Sequence, residues 1–407
     1  MTDSSAASLL RLMQASHTAT LEELPRMIAD HAAVAGMQDV ILFVVDIRET
    51  VLRRLTGRGL AAGEGGQEFT VAGSLPGQAY RRVELVSEPE REGECGRPGG
   101  RRWWVAITDG VERLGVLRAD TDTDGEPVRQ ALRDLASMTA LLLLSKRSFS
   151  DSYARLVRTE PMNVAAEMQW NLTPPPAYAG HNATVGAVME PAYQVGGDAF
   201  DYAVAGSTLH LGVFDAMGHD TTAGITANVA VSACRNARRQ GASLTETSRM
   251  VEETLIEQFG TSRYVTAILA DLDMESGRLT WINRGHHLPI LIRGNRWTTE
   301  LVCPPAGPMG ADLGLSVTTA IEQLEPGDRL LLYTDGVVEA RDRHGTAFGQ
   351  DRFVDFIRRH HSGRHTLHET LRRLMAAVME HHDGKLDDDA TVLLTEWRGG
   401  HQQELTP

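Results

Sequence analysis

Leu209-His210-Leu211-Gly212-Val213-Phe214-Asp215-Ala216-Met217-Gly218-His219 is the stretch that decides the fold. Leu209 to Phe214 is a short, mostly apolar run, and it ends on a carboxylate. Leu330-Leu331-Leu332-Tyr333-Thr334-Asp335-Gly336 repeats the pattern. Val392 to Leu394 begins just after Asp387-Asp388-Asp389, and Asp198 closes Val195-Gly196-Gly197-Asp198. Apolar runs of this length between turn signals read as buried strands. Carboxylates at the ends of buried strands can converge on one point. Oxygen-only ligands suit Mg²⁺ or Mn²⁺ rather than Zn²⁺. Two such ions roughly 3.5–4 Å apart can activate a water and clamp a phosphoryl group. Any one of these sites alone reads as a turn, because Gly takes positive φ and Asp bonds the local backbone. Four in this order are far more specific.

The rest of the chain sets limits on partners and compartments. Its 407 residues exceed the usual size of one core, so two domains are expected. Apolar residues make up 42% and charged residues 23%, ordinary for a globular protein. A formal net charge of −14 argues against nucleic acid as a partner. Cys95, Cys234 and Cys303 are odd in number and lack metal-ligand spacing, which fits free thiols in a reducing cytosol. No signal peptide is evident, and no apolar stretch is long enough for membrane insertion. A cytoplasmic location is the expectation.

Organisation follows from periodicity and breakers. Residues 1–20 are expected to be an N-terminal tail, either frayed or a helix that needs a partner. Leu21 to Ala35 has helical spacing, and Val40 to Val45 reads as a strand. Ser74 to Arg81 reads as a turn into a short helix. Trp103 to Thr108 and Arg113 to Arg118 form a hairpin around Asp109-Gly110. A helix from about 127 to 146 closes this α+β unit. Residues 145–177 read as a helical linker, with Pro161 as its breaker and Pro174-Pro175-Pro176 as its stop. Beyond it, strands interleave with two helical pairs. Ser243-Leu244-Thr245-Glu246 is a capping box. The polar 399–407 stretch is expected to be a tail.

In this order, several segments resemble the metal-dependent Ser/Thr phosphatases of the protein phosphatase 2C type, and within them the SpoIIE branch. The matching pieces are Ala165 to Gln169, Val195 to Asp201, Asp215 to His219, Asn283 to Pro289, Leu332 to Ala340, and Asp388 to Thr391. The resemblance implies an α-β-β-α sandwich over residues 178–398. It implies two Mn²⁺ or Mg²⁺ ions, with Asp215 bridging both and the Ala216 carbonyl on the second. Asp335 and Asp388 would be terminal ligands of the first ion. Asp198 would bind metal or orient its water. Asp389, Gly197 and His219 would support the ligands from behind. The N-terminal α+β unit, 21–144, resembles a GAF domain, a fold that senses small ligands or dimerises. The resemblance also implies a phosphorylated protein substrate, an anti-sigma-factor antagonist in this branch, and a homodimer through the linker helix or the GAF-like domain.

The chain departs from the family at Ala199-Phe200, where Phe-Tyr is usual, and at two further positions. Asp220 stands where a Gly usually follows the His, and reads as a helix cap rather than a further ligand. Phe214 stands where a Gly usually precedes the bridging Asp. His286 and His287 read as structural residues at a strand end. Two other readings compete with a protein phosphatase: a non-catalytic binding module that sequesters a partner, and a small-molecule phosphatase on the same fold. The first of these sits poorly with four carboxylates kept together.

Overall fold

The computed structural model describes residues 3–88, 100–194, 196–218, 220–294, 296–304, 306–361, 366–382, 386 and 388–399. Val195, His219, Asp387, Cys95 and the expected tail beyond 399 lie outside these residues. The chain divides into two compact units, Met1–Pro161 and Met162–Pro407.

The first unit opens with helices α1 (Asp3–Ser16) and α2 (Leu24–Val34), followed by strands β1 (Met37–Val45), β2 (Val51–Leu55) and β3 (Glu68–Thr70). Then come α3 (Leu75–Arg82), β4 (Val86–Ser87), β5 (Arg101–Asp109), β6 (Glu112–Thr121), α4 (Glu126–Arg147) and α5 (Asp151–Val157). The strands form one antiparallel sheet in the order β3-β2-β1-β6-β5-β4. The unbroken apolar run in β1 is explained by cover on both faces. Leu42 and Val44 pack toward Ile28 of α2 and Leu135 and Leu143 of α4. Phe43 and Val45 pack on the opposite face with Ala79 and Tyr80 of α3 and with Trp104. Ser74 caps α3, its hydroxyl accepting from Gly77 N at 3.0 Å.

Two boundaries differ from expectation. The unit does not begin at 21: of the two readings of 1–20, frayed or a helix that needs a partner, the second fits, since Asp3–Ser16 form α1 and Leu12 is fully buried in the main core of the unit. Lys146 Nζ donates to the Ser16 carbonyl at 2.8 Å, tying the two ends of the unit together. The 145–177 stretch is not one linker. α5 packs on α4, β1 and β2, whereas α6 (Val164–Leu172) belongs to the second unit. Pro161 stands at the division, where its missing N–H and fixed φ end helical continuity.

The second unit continues with β7 (Ala177–Ala179), β8 (Ala183–Glu190), β9 (Asp198–Ala205) and β10 (Thr208–Ala216), then α7 (Thr221–Arg239) and α8 (Leu244–Phe259). Next are β11 (Val265–Asp273), β12 (Arg278–Arg284), β13 (Ile290–Arg293), β14 (Trp297–Glu300), β15 (Ala320–Gln323) and β16 (Arg329–Tyr333). α9 (Asp335–Glu339), α10 (Gln350–His361), α11 (Leu367–His381) and β17 (Ala390–Trp397) complete it. Two antiparallel sheets result, β15-β12-β11-β10-β9 and β14-β13-β16-β17-β8-β7. The short β7 and β15 were not legible in the sequence; each lies at a sheet edge, where little burial is needed to hold a strand.

Side-chain alternation then sorts the strands into layers. Leu209, Leu211 and Val213 of β10 meet Leu330 and Leu332 of β16 and Leu393 of β17 between the sheets. Phe214 and Ala216 turn the other way, onto Ala227, Val231 and Leu255 of α7 and α8. Leu331, Tyr333, Val392 and Leu394 face Phe353, Leu371 and Leu374 of α10 and α11. The arrangement is a four-layer α-β-β-α sandwich. α8 opens with the expected capping box, Ser243 with Glu246.

One buried ion cluster pins β9 to α7. Asp201 turns toward the helices, and its carboxylate accepts from Arg235 Nη2 at 2.7 Å and Arg238 Nη1 at 2.8 Å. Removing one partner of such a cluster leaves uncompensated charge in a poorly solvated place. Asp201→Ala is expected to destabilise the second unit by about 3 kcal/mol. Urea unfolding of the full chain should show one transition moving to lower denaturant while the other stays in place.

Candidate metal centre

Following the inward-facing column of each strand to one end of the sandwich leads to the site. Phe200 faces between the sheets, so Asp198, two residues earlier, faces there too. The same parity carries Val213 to Asp215, Ile268 back to Thr266, Trp281 on to Asn283, Leu332 on to Thr334, and Leu393 back to Thr391 and Asp389. The interior layer is apolar along most of its length and turns polar at this end. Five strands each contribute a side chain to the change, and two further groups lie just outside strands, Thr334 after β16 and Asp389 before β17.

Asp198 and Asp215 are direct cross-strand partners on β9 and β10. Asp198 is buried, and its Oδ2 accepts from Thr334 Oγ1 at 2.6 Å. Thr334 in turn accepts from Thr391 N at 2.9 Å, so one hydroxyl joins β9, β16 and β17. Asp335 is the first residue of α9 and is partly exposed.

Asp388 and Asp389 have different surroundings. Asp388 is exposed, whereas Asp389 is buried. A single Asp389 oxygen, Oδ2, accepts from the backbone N–H of Gly196, Gly197 and Asp198 at 2.7, 2.6 and 3.2 Å. Three donors on one oxygen make Asp389 the anchor of the loop that delivers Asp198. Gly197 is needed there for its missing side chain. A Cβ would stand 2.4 Å from the Ala216 carbonyl oxygen and 2.6 Å from that of Gly218. Gly336 is a second close approach, its Cβ position only 1.9 Å from the Asp389 carbonyl oxygen. It sets α9, and with it Asp335, directly against the Asp388-Asp389 turn.

The charges feel one another. Burial, then repulsion from Asp389 and Asp215, raises the Asp198 pKa well above the usual carboxylate range. Burial, then Asp335, Asp388 and Asp389, raises Asp215 to about 7. Burial raises Asp389 as well, opposed by its backbone donors. No basic side chain stands among the main influences on these three groups. The cluster has the oxygen-only donor set and the unrelieved negative charge that a hard divalent cation fits. Among the described residues no three acidic, His or Cys side chains stand close enough, as placed, to ligate one ion. The carboxylates are neighbours around a gap rather than a closed cage.

Of the residues expected from sequence, Asp198, Asp215, Asp335, Asp388, Asp389, Gly197 and Ala216 are brought to this end of the sandwich. His219 lies outside the described residues. Asp220 caps α7, its Oδ1 accepting from Ala223 N at 2.8 Å. His286 and His287 are not in a strand but in the turn after β12, where Gly285 has φ +70°. His286 is buried and His287 stacks on Tyr333. Sequence reasoning missed the supporting roles of Thr334, Thr266 and Gly336. The period-2 spacing of Thr334 from Leu332 was the available signal for the first. Gln169 of α6 was also missed; its Nε2 donates to the Asp198 carbonyl at 2.5 Å.

Residues 205–398 match the family model for stage II sporulation protein E (SpoIIE). The chain is 21% identical over 237 residues to the phosphoserine phosphatase RsbU of Bacillus subtilis, covering 57% of this chain and 69% of RsbU. A structure of the RsbU and RsbW domains of Rv1364c from Mycobacterium tuberculosis is 24% identical with TM-score 0.48, over 56% of this chain and 63% of that one. The SiaA-PP2C domain of Pseudomonas aeruginosa is 22% identical with TM-score 0.47, over 52% of this chain and 85% of that one. The first of these two structures is thus spanned over less than two thirds of its length. The family match over 205–398, just under half of the chain, falls within the unit that carries the four-layer fold and the carboxylates.

Proposed function

We propose that the second unit hydrolyses phosphoserine or phosphothreonine monoesters in a protein, with two Mn²⁺ or Mg²⁺ ions held by Asp198, Asp215, the Ala216 carbonyl, Asp335 and Asp388. One observation carries this reading: Asp198 and Asp215 face each other across two strands at the polar end of the inter-sheet layer, and neighbouring acids raise the proton affinity of both. Burial of unpaired charge is costly, and a bound cation would offset that cost. When bound, the ions would supply charge neutralisation on the phosphoryl oxygens and a water acidified toward neutral pH.

The chain's own residues have separable tasks in that reading. Asp215 lies between the other carboxylates and is the group to be shared. Thr334 orients the Asp198 carboxylate through its hydroxyl. Asp389 spends its charge on the Gly196–Asp198 backbone, so it positions rather than ligates. Asp388 beside it is exposed, and its Oδ1 accepts from Asp389 N at 2.9 Å.

The substrate class is supported by RsbU, whose name describes a phosphoserine phosphatase. An anti-sigma-factor antagonist is the substrate this resemblance favours. The first unit would act as a GAF-like sensor and dimerising element in the cytoplasm. Leu10 and Met13 of α1 and Leu141 of α4 are exposed apolar residues available for such pairing. Among the described residues no helix is long and apolar enough to cross a membrane.

Asp215→Asn is expected to abolish phosphate release from a phosphoserine peptide at saturating Mn²⁺ while circular dichroism stays unchanged. Turnover near that of the unaltered protein would remove Asp215 from the centre. The metal-free protein offers a second check. The folded state holds a proton on Asp215 up to about pH 7, whereas an unfolded Asp releases it near the ordinary value of 3.8. Between those values the folded state binds more protons, so stability falls as pH rises through the window. In excess chelator, Asp215→Asn should therefore melt higher than the unaltered protein at pH 8 and close to it at pH 4.

The Asp388-Asp389 pair gives a further expected outcome. Asp389→Ala strands three backbone donors and should cost about 3 kcal/mol of stability before any metal is added. Asp388→Asn should leave thermal stability alone and weaken Mn²⁺ binding in calorimetry. The reverse pattern would exchange the two roles.

A further inference from the structure

One imidazole stands between the two sheets behind the carboxylate cluster. His286 Nε2 lies 3.0 Å from the Tyr333 carbonyl oxygen at the end of β16. Its Nδ1 lies 2.7 Å from Thr266 Oγ1 on β11. These two strands belong to different sheets. The turn that carries His286 is fixed by Asn283, which accepts from His286 N at 2.7 Å and donates to His286 O at 2.9 Å. Thr266 is the cross-strand partner of Asp215, and its Oγ1 lies 3.5 Å from Asp215 Oδ2.

Donor counting fixes the direction of this chain. A carbonyl oxygen only accepts, so Nε2 carries a hydrogen. A neutral imidazole has one such hydrogen, which leaves Nδ1 as an acceptor. Burial, and then the neighbouring His287, push His286 down to about 4, so the ring is neutral at physiological pH. Thr266 owns a single hydroxyl hydrogen. It has one acceptor at 2.7 Å and another at 3.5 Å, the second beyond ordinary O–H···O range. The hydrogen goes to His286, and a lone pair of Thr266 faces Asp215.

We propose that His286 is a positioning residue: it holds the Thr266 hydroxyl hydrogen away from Asp215 and so keeps both carboxylate oxygens free of protein donors, open to two cations. The inference rests on the metal-centre reading above. A Thr266 turned the other way would occupy a lone pair of the carboxylate that both ions must share, and would compete with them. The lone pair that faces Asp215 instead adds to the repulsion a cation relieves. The same imidazole holds the end of β16, whose next two residues are Thr334 and Asp335, in fixed relation to the strand beside Asp215.

The test uses the full chain with Mn²⁺ as probe. Nitrogen NMR of ¹⁵N-histidine-labelled protein at neutral pH should show His286 protonated at Nε2 and bare at Nδ1. By calorimetry, Thr266→Val should bind Mn²⁺ within about twofold of the unaltered protein, because it removes no donor to Asp215, while His286→Phe should bind about tenfold more weakly. Adding Thr266→Val to His286→Phe should restore the affinity, which a merely structural loss would not allow. A proton on Nδ1, a tenfold loss in Thr266→Val, or no recovery in the double variant would each overturn the inference. Should His286→Phe fail to fold, the tautomer and the Thr266→Val affinity decide. Failure of the unaltered protein to bind Mn²⁺ overturns the metal-centre reading and this inference with it. Mn²⁺ binding together with a proton on Nδ1 overturns the inference alone.

Discussion

Repulsion among carboxylates at one end of the inter-sheet layer is the constraint on which the second unit depends. Asp198 and Asp215 face each other across β9 and β10, and Asp389 closes on them from the turn before β17. Left to itself this group would push the two sheets apart at that end. The sheets are held instead by hydrogen bonds that cross from one to the other. Thr334 reaches from β16 to Asp198, Asp389 reaches to the Gly196–Asp198 backbone, and His286 spans Tyr333 and Thr266. Each tie ends within two residues of a carboxylate it helps to place.

Those ties work because the rest of the sandwich is rigid. Leu209, Leu211, Val213, Leu330, Leu332 and Leu393 fill the layer behind them. Close-packed interiors transmit displacement rather than absorb it. An error of register at the far end of β10 or β16 would therefore arrive at Asp215 or Asp335 undiminished. On the outer face, Asp201 with Arg235 and Arg238 fixes β9 to α7, so the strand that begins with Asp198 is held from both sides.

How much of this was legible depended on period and position. The apolar runs ending on Asp215 and Asp335 could be read as strands because both faces of each are covered. Their order, with the helical pairs between them, suggested the sandwich, and the acidic residues suggested the candidate site. α1 was harder to read. Ser, Thr and Ala dominate the first twenty residues, and only the structure shows Leu12 sealed in the core. The 145–177 stretch misled for a related reason: helical spacing continues on both sides of Pro161, and spacing carries no information about which unit a helix packs on. Thr266, Thr334 and Gly336 stayed hidden because their roles are contacts between strands far apart in sequence, and no local pattern encodes such a contact.

The division of labour between Asp388 and Asp389 shows how a site of like charges can be built at all. Two adjacent acids in a loop look interchangeable in the sequence. Alternation sends one into the layer and the other out of it. The inward one, Asp389, is compensated by three backbone N–H groups, so its charge is largely spent before any ligand arrives. The outward one, Asp388, keeps access to water. Asp198 is buried with one hydroxyl donor, and Asp215 is half-buried and, under the proposed direction of the Thr266 hydroxyl, lacks a close donor. The uncompensated charge thus rests on the facing pair Asp198 and Asp215, and affinity for a cation follows from what the protein withholds from those two groups.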